Sequence, residues 1–337
     1  MTAHPLAIPI THDFVSDAIR IGDPDVCGAL AVFPLFGPTA GIAYLAFSQA
    51  ITHGMTVKEL DSGASVNDLF VLNPTDKSVL LYEGEEVLGA QQNRTFDVSV
   101  LVAAGARMRV PVSCVEHGRW DGARSAESFT PAPQTAYPEL RHLKNQHARA
   151  AVEQNLEPRA SQEAVWDEVA HKSERMSTYS QTGAMHDIYY GRREQLAAFR
   201  DAVRLRDGQA GALVCIGGEP AVVDYVSRPD AFAALHGPLL QGYALDAIEA
   251  DVLDAVVDRA VAQTFLDAAL GARVSQRDGI GMGVEIRFTD PTVGGAGLVV
   301  GQELVQLTAF AEDARDIDRG TTAPRARIRR PSRRRNG

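Results

Sequence analysis

Residues 97–115 read DVSVLVAAGARMRVPVSCV, and this stretch predicts a β-hairpin. Two runs rich in valine flank the tripeptide at 104–106, and a three-residue loop with a central glycine is a permitted hairpin connection. Since side chains alternate along a strand, six apolar residues share one face if Ala103 lies opposite Arg107. They form the pairs Val98 with Val112, Val100 with Val110, and Val102 with Met108. The stretch therefore predicts a sheet with one face packed on a core.

In the same register, polar residues lie opposite one another beyond the apolar pairs. Pro111 cannot donate a ladder hydrogen bond, which indicates that its strand is an edge or that Pro111 marks a bulge. Beyond the valines, the register places three further pairs: Phe96 with Cys114, Arg94 with Glu116 and, on the other face, Asn93 with His117. The apolar face is thus predicted to end in a cross-strand ion pair.

The residues around that ion pair are candidates for a functional site. Arg94 can bind a carboxylate or phosphate through two parallel hydrogen bonds, and Glu116 can act as a base or accept a sugar hydroxyl. The alternative is a structural Arg94–Glu116 pair, which would contribute about 0.2–1 kcal/mol to the sheet. The candidate catalytic residues are Glu116 and Glu85, and the candidate ligand-binding residues are Gln92, Asn93, Arg94, Arg119 and Trp120.

Other motifs favour structural roles. The short GGEP at 217–220 is typical of a hairpin turn and lacks the pattern of a phosphate loop. Asp187 is a candidate helix N-cap, with a catalytic His186–Asp187 pair as the alternative. The glycine-rich segment 290–301 predicts a flexible hairpin loop, and covering the site is a candidate role for this loop. Cys114 is expected to be a small core residue. No spacing of histidine and cysteine indicates a metal site, and the sequence does not identify a cofactor.

The order of the elements predicts an α+β fold. Long helices gathered in the middle, instead of alternating with single strands, favour α+β over a doubly wound sheet. The antiparallel β-rich part at 28–120 is followed by a proline-rich connecting loop at 121–140, and then by helices and returning strands at 141–311. We therefore predict one domain at 28–311, with an N-terminal extension at 1–27 and a tail at 312–337.

Charge is distributed unevenly along the chain. The net charge is −10 overall, and the last 17 residues contain seven arginines and no acid, which leaves −17 on residues 1–320. Such an acidic body repels nucleic acid. The basic tail is predicted to be disordered and solvated, or docked on the acidic body. The alternative is an arm that contacts nucleic acid or an acidic protein surface.

Composition indicates a soluble, cytoplasmic protein without a membrane partner. Hydrophobic residues make up 45% and charged residues 23%, ordinary values for a globular protein. No apolar run is long enough to span a bilayer, and the N-terminal residues lack the pattern of an export signal. The three cysteines, Cys27, Cys114 and Cys215, lie far apart, which is typical of reduced thiols.

Two long motifs resemble a known family. EGEEVLGAQQNRTFDVSVLV at 83–102 and VPVSCVEHGRW at 110–120 are similar to the centre of the ARG and rhodanese-phosphatase-superfamily-associated protein domain. ARG there stands for ADP-ribosylglycohydrolase. Supporting matches are TGAMHDIYYGR, GPLLQGYALDAI, GIGMGVEIRF and LVQLTAF. The resemblance extends over residues 28–311.

The resemblance implies a domain of unknown function associated with enzymes that handle ADP-ribose and phosphate. This chain has Gln91 where the family usually has a basic residue. If that charge helps to bind an anion, the resemblance implies that this member binds the anion less well. The family's polar residues would fall on Glu85, Gly89, Gln92, Asn93, Arg94, Cys114, Glu116, Arg119 and Trp120.

Two functions follow from the residues and the resemblance together. The first is the binding or processing of a small anionic ligand, similar to a nucleotide or ADP-ribose, at the end of the hairpin. The alternative is a non-catalytic scaffold or interaction domain, with a structural Arg94–Glu116 pair and a basic docking tail.

Overall fold

Antiparallel strands dominate both ends of the chain, and most helices lie between them. The structure, a computed structural model, describes residues 8–9, 19–60, 65–250 and 257–312. It is 31% helical and 34% strand, and the segregated order of the two confirms the predicted α+β class. The described helices are α1 (Phe47–Ile51), α2 (Pro138–Glu153), α3 (Gln162–Arg175), α4 (Met185–Gly191), α5 (Arg193–Ala202), α6 (Pro229–Glu249) and α7 (Arg259–Gly271).

The strands form three sheets. The described strands are β1 (Ile8–Pro9), β2 (Arg20–Ile21), β3 (Asp25–Cys27), β4 (Leu30–Phe36), β5 (Tyr44–Ala46), β6 (Thr56–Lys58), β7 (Asp68–Leu72), β8 (Ser78–Leu81), β9 (Glu85–Leu88), β10 (Arg94–Phe96), β11 (Val100–Val102), β12 (Arg107–Cys114), β13 (Thr130–Thr135), β14 (Gly211–Ile216), β15 (Glu219–Val226), β16 (Arg273–Asp278), β17 (Val284–Thr289), β18 (Val293–Val300) and β19 (Glu303–Ala311). The large sheet has ten strands in the order β1-β16-β17-β18-β19-β15-β14-β4-β2, with β3 also paired to β4. The second sheet runs β13-β9-β10-β12-β7-β6, and the third runs β11-β8-β5.

Both faces of the large sheet are covered. Along β15, Val222 belongs to the core beneath α6, whereas the next residue, Val223, belongs to the core beneath α7. This alternation is the ordinary consequence of the two-residue period of a strand. Helices therefore pack on both faces of this part of the sheet.

The valine-rich stretch forms two sheets and not one hairpin. In the ladder between β10 and β12, Arg94 lies opposite Cys114 and Phe96 opposite Val112, a register two residues away from the predicted one. After Phe96 the chain leaves this ladder, and β11 pairs with β8 in the third sheet. A shift of two residues keeps every side chain on its predicted face. The predicted apolar face is therefore confirmed, but its valines meet across two packed sheets.

Buried Asp97 lies where the hairpin breaks. Its carboxylate accepts a hydrogen bond from the Ser113 hydroxyl at 2.6 Å and lies 3.2 Å from the Lys144 ammonium of α2. Its backbone N–H donates to the Pro111 carbonyl of β12, and the next strand, β11, pairs with β8. In the observed register, the predicted pairs of Arg94 with Glu116 and of Asn93 with His117 are wrong. The backbone N–H of Val115 donates to Asn93, and Glu116 lies beyond the end of β12.

Three loop or edge predictions also need correction. Strand β12 is not an edge: Arg107–Pro111 pair with β7, Val112–Cys114 pair with β10, and Pro111 lies where the partner changes. The proline-rich segment 121–140 contains β13 and the start of α2. The glycine-rich segment 290–301 is mostly strand β18. Its glycines admit neighbouring strands closely, since a Cβ atom at Gly295 would collide with the Thr308 carbonyl.

Other local predictions are confirmed. Ser161 caps α3 by accepting a hydrogen bond from the Ala164 N–H, and the turn at 217–218 joins β14 to β15. The predicted N-cap at Asp187 is wrong, because Asp187 lies in the first turn of α4 and the N-cap is Ala184. The predicted tail, apart from Glu312, lies outside the described residues, as does most of the predicted extension at 1–27.

A buried ion network ties the large sheet to α2. Arg141 has no exposed surface, and its guanidinium donates to the carboxylates of Glu83 and Asp224. Hydroxyls of Tyr82 and Tyr243 also donate to Asp224, at 2.6 and 2.5 Å. Both carboxylates contact the single Arg141 cation, and Asp224 also accepts from the two hydroxyls, which offsets part of the cost of burying these charges. The network anchors the chain immediately before β9, where the candidate site begins.

Gly84 in the EGEE motif makes this anchor possible. Its φ angle of +83° lies in the region that favours glycine. A Cβ atom at this position would lie 2.8 Å from the Cδ atom of Arg141. The motif therefore serves in part to admit a buried arginine beside the backbone.

Candidate functional site

The loop between β9 and β10 is held by a clip of polar side chains. Arg119 donates to the Ala90 carbonyl at 2.7 Å and to the Asn93 amide oxygen at 3.0 Å. Its guanidinium also lies 2.7 Å from Glu116, which accepts from the Asn93 backbone N–H at 3.1 Å and from the Thr182 hydroxyl at 2.8 Å. The clip fixes the backbone from which the side chains at 91–94 project.

Within the clip, Glu116 has the environment of a structural carboxylate. Burial by itself would raise its pKa, but the hydrogen bonds from Arg119, Asn93 and Thr182 outweigh burial, and the pKa lies below its ordinary value. A general base at neutral pH needs a pKa closer to 7 and a free oxygen. Both oxygens of Glu116 accept hydrogen bonds, so this geometry favours positioning of the loop over proton transfer.

Arg94 lies at the centre of the candidate site and has no exposed surface. One terminal nitrogen, Nη1, donates to the Gln92 amide oxygen at 3.0 Å. The other, Nη2, lies 3.9 Å from Oε1 of Glu59, and neither Nη2 nor Nε has a hydrogen-bond partner among the described residues. Burial accordingly lowers the pKa of this guanidinium. Two donors of a buried cation are thus left without an acceptor.

Trp120 covers this guanidinium from the solvent side. Its ring centre lies 5.8 Å from Cζ of Arg94, within the distance of a cation–π contact. The indole is 51% exposed, although Arg94 beneath it is fully enclosed. A half-exposed ring over a buried, incompletely paired cation has the geometry of a lid.

Two neighbours complete the environment of Arg94. The Cys114 thiol donates to the same Gln92 oxygen at 3.1 Å, and the Gln92 amide donates to the Glu116 carbonyl at 3.1 Å. Burial raises the pKa of Cys114, so this residue is held as a neutral thiol and not as a nucleophilic thiolate. Both ends of the Gln92 amide are therefore occupied: its nitrogen is bound to Glu116, and its oxygen is held against Arg94.

Glu85 and Glu86 project from opposite faces of β9 and are both buried. Glu85 accepts a hydrogen bond from the Tyr82 N–H at 2.8 Å, and burial raises its pKa to about 8. Glu86 accepts from the Gln134 amide at 2.6 Å, and burial raises its pKa to about 8 as well. Among the described residues, no contact joins Glu85 to Glu116. A catalytic role for Glu85 and Glu116 stays a prediction, and the structure does not bring these two carboxyl groups together.

His186 and Asp187 also make separate contacts. His186 Nδ1 lies 2.8 Å from the Gln134 amide, whereas Asp187 accepts from the Ser180 hydroxyl at 2.6 Å. The alternative of a catalytic pair at these residues has no hydrogen bond to support it in the described part of the chain.

Sequence reasoning missed Glu59 as a neighbour of Arg94. The residue ends a short β-branched segment, and nothing in that segment signals a buried acid. Burial raises its pKa, an effect that Arg94 and the Gln91 backbone N–H offset only in part. Only the fold brings this carboxyl group to a strand that lies 35 residues later.

One cluster of acidic residues has the spacing of a cation site. Carboxylate oxygens of Glu139, Asp246 and Glu249 lie within 4.8 Å of one another. The Lys172 ammonium already lies 2.6 Å from Asp246, and Arg175 lies 2.6 Å from Glu139. The positive charge that these acids require is therefore supplied by the protein itself, and the cluster fits a structural role.

Two cavities of the described residues lie away from Arg94. One, of about 430 Å³, is an apolar groove beside α7. The other, of about 490 Å³, lies beside α4 and is lined largely by polar side chains. No helix in the described part of the chain is both long enough and apolar enough to cross a membrane.

A protein-family model matches most of the chain, including its central motifs. The model of the ARG and rhodanese-phosphatase-superfamily-associated protein domain matches residues 18–310. Comparison with curated proteins and with solved structures finds no match. The matched region contains both the clip and the guanidinium beneath Trp120. The chain therefore belongs to the family of the ARG and rhodanese-phosphatase-superfamily-associated protein domain.

Proposed function

We propose that this domain binds a small anionic ligand of nucleotide type, such as ADP-ribose, with a phosphate group on Arg94. The observation that carries the proposal is a completely buried guanidinium whose Nε and Nη2 have no hydrogen-bond acceptor among the described residues, with only the Glu59 carboxylate 3.9 Å from Nη2. Leaving a buried charged donor without an acceptor costs more than the ~1–3 kcal/mol of a neutral group. A bound phosphate oxygen pair would remove this cost.

The two unpaired nitrogens are suited to a two-point contact. Nε and Nη2 form one edge of the planar guanidinium, and their N–H groups point in nearly parallel directions. Such an edge matches two oxygens of a phosphate or carboxylate. The third nitrogen, Nη1, is bound to Gln92, which holds the plane of the group in place. The plane of the guanidinium is thus held in place, and its Nε–Nη2 edge has no hydrogen-bond partner among the described residues.

Trp120 supplies a surface for the organic part of the ligand. Because the indole is half exposed, it can turn outward without leaving a core. Once turned, its ring can stack on a nucleobase, a contact that contributes about 1–3 kcal/mol per base. The same residue then opens the site and contacts the ligand.

Glu59 determines how the site responds to pH. An ionised carboxylate 3.9 Å from Nη2 competes with an anionic ligand for Arg94. Burial raises the pKa of Glu59, which favours the neutral carboxyl group, and a neutral carboxyl can donate a hydrogen bond to phosphate or ribose. Ligand binding is therefore expected to weaken as the pH rises and Glu59 ionises.

Replacement of Arg94 by lysine tests the two-point contact. Lysine keeps the charge but loses the fork, so binding should weaken by about 1.5–3 kcal/mol, the contribution of a hydrogen bond to a charged group. Wild type is first screened by thermal shift with ADP-ribose, NAD, nucleotides and phosphate, and each hit is then measured by calorimetry. Arg149→Lys, on α2 and paired with Glu312, is the control and should leave affinity unchanged.

A non-catalytic scaffold is the second candidate, and the clip formed by Glu116 and Arg119 is the observation that favours it. A scaffold predicts that no ligand in the panel shifts the melting temperature. It also predicts that Arg94→Lys lowers stability, because the Arg94 side chain then serves only to hold the loop. That combination of results would refute binding at Arg94.

A further inference from the structure

A cavity of about 490 Å³ lies between the loop at 177–181 and helix α4, away from Arg94. Its size is within the usual range for small-molecule sites, roughly 300–1,000 Å³. The side chains that line it include two phenol rings, two hydroxyls, an acid and a base: Tyr179, Tyr190, Ser177, Thr178, Asp187 and Arg192.

The two aromatic rings of the cavity are unusually exposed. Tyr179 is 88% exposed and Tyr190 is 63% exposed, so neither ring stabilises the core. The Arg193 guanidinium lies 4.5 Å from the centre of the Tyr190 ring, a cation–π contact that restricts the ring's motion. The cavity thus has aromatic faces at its rim, at least one of which is held in position.

The polar groups of the cavity are partly occupied and partly available. Asp187 accepts from Ser180 through Oδ2, which leaves Oδ1 as an acceptor. Arg192 donates to the Gln195 side chain through Nη1 and to the Met176 carbonyl through Nη2, and each of these nitrogens carries a second N–H. The lining therefore offers acceptors and donors together.

The balance of charge in the lining selects the class of ligand. Asp187 and Arg192 carry opposite formal charges, and Arg193 at the rim lies 3.8 Å from the Glu194 carboxylate. The charges in and beside the cavity therefore balance, which leaves no net attraction for an anion or a cation. Aromatic faces combined with paired donors and acceptors suit a neutral ring that bears hydroxyl groups. Its C–H face can pack on a tyrosine ring, and its hydroxyls can donate to Asp187 and accept from Arg192.

We propose that this cavity is a second binding site, which takes a neutral sugar ring such as a pentose or hexose. The site stands apart from Arg94, because none of the cavity's lining residues contributes to the contacts of that guanidinium. It depends on Tyr190 and Asp187 for its aromatic and acceptor groups. Both residues belong to α4 and are placed on the cavity by the same helix.

The test is saturation-transfer difference NMR on the full chain with D-ribose, D-glucose and sucrose. We expect a signal from at least one sugar in wild type and an affinity about tenfold lower in Asp187→Asn and in Tyr190→Ala, the equivalent of one charge-assisted hydrogen bond. The control is Leu156→Ala, which truncates a side chain with 59% exposure outside the cavity and should keep the wild-type signal.

Absence of signal from all three sugars would overturn the proposal, as would signals that are equal in wild type and in both variants. Thermal melting shows whether a variant is folded. If Asp187→Asn is destabilised through its contact with Ser180, Tyr179→Ala replaces it, because that ring is almost fully exposed. Arg94→Lys should retain the sugar signal, which separates failure of this site from failure of the site beneath Trp120.

Discussion

Replacement of Arg141 by methionine should lower the free energy of unfolding by about 3–5 kcal/mol, the usual cost of removing one partner from a buried ion pair. The variant leaves Glu83 and Asp224 in the core without their cation. It also removes the group that ties α2 to β15. Denaturation by urea, followed by circular dichroism, measures the effect.

The pH dependence of this variant has a defined sign. Burial by itself would raise the pKa of Asp224, but Arg141 and the tyrosine hydroxyls outweigh it and hold the pKa below its ordinary value of 3.8. A depressed pKa contributes stability above the unfolded-state pKa and loses it as the pH falls through the folded-state pKa. The difference between wild type and Arg141→Met should therefore be full at neutral pH and shrink in acid.

Arg149→Met is the matched control on the same helix. Its guanidinium is 22% exposed and pairs with Glu312, so the loss should be clearly smaller, about 1 kcal/mol or less, as for partly exposed pairs. Equal losses in the two variants would show that the Arg141 network has no special role in holding the fold.

Glu85→Gln and Glu86→Gln should each stabilise the protein in mildly alkaline solution. Burial raises both folded-state pKa values to about 8 from an ordinary value of 4.5. Each carboxyl group therefore contributes full stability below pH 4.5, and that contribution is lost as the pH rises through about 8. At about 1.4 kcal/mol per pH unit, the gain from glutamine, which cannot ionise, should reach the order of 3–5 kcal/mol near pH 8–9.

Denaturation curves from pH 5 to pH 9 measure this difference. Each glutamine retains the oxygen that accepts from Tyr82 or Gln134, so little should change at pH 5. Glu116→Gln is the control of opposite sign, because hydrogen bonds hold the Glu116 pKa low, and its replacement should destabilise the protein at neutral pH. Stability differences that stay constant from pH 5 to pH 9 would show that Glu85 and Glu86 are ionised in the folded state.

The fold could be predicted from the sequence where local rules decide the structure. Ser161 caps α3 because its hydroxyl precedes a helical run, and Val98 and Val112 share a core because alternation fixes the face of a strand. Alternation does not fix the partner strand, so the exchange of β11 into another sheet could not be read from the valines. The glycines of β18 led to a wrong prediction for a similar reason. Glycines are typical both of flexible loops and of strands whose neighbours approach the backbone closely.

The candidate site, too, could be predicted from the sequence only in part. The density of polar residues around Arg94 predicts a site there, which stays a prediction. The structure places Gln92 and Trp120 against the Arg94 guanidinium. The predicted partner, Glu116, instead pairs with Arg119, because the register shift moves it past the end of β12. Glu59 reaches Arg94 only through the packing of distant segments, for which a single sequence holds no signal.

Fluorescence of Trp120 during a ligand titration tests most directly whether Arg94 binds an anion beneath that ring. The chain contains two tryptophans, and Trp166→Phe leaves Trp120 as the sole reporter while keeping a ring against His117. Titration of this variant with ADP-ribose should give a saturable change in emission, with a midpoint equal to the calorimetric Kd. The midpoint should move to higher concentration when Arg94→Lys is added. Calorimetric binding with unchanged Trp120 emission, or no saturable response in either measurement, would contradict the account.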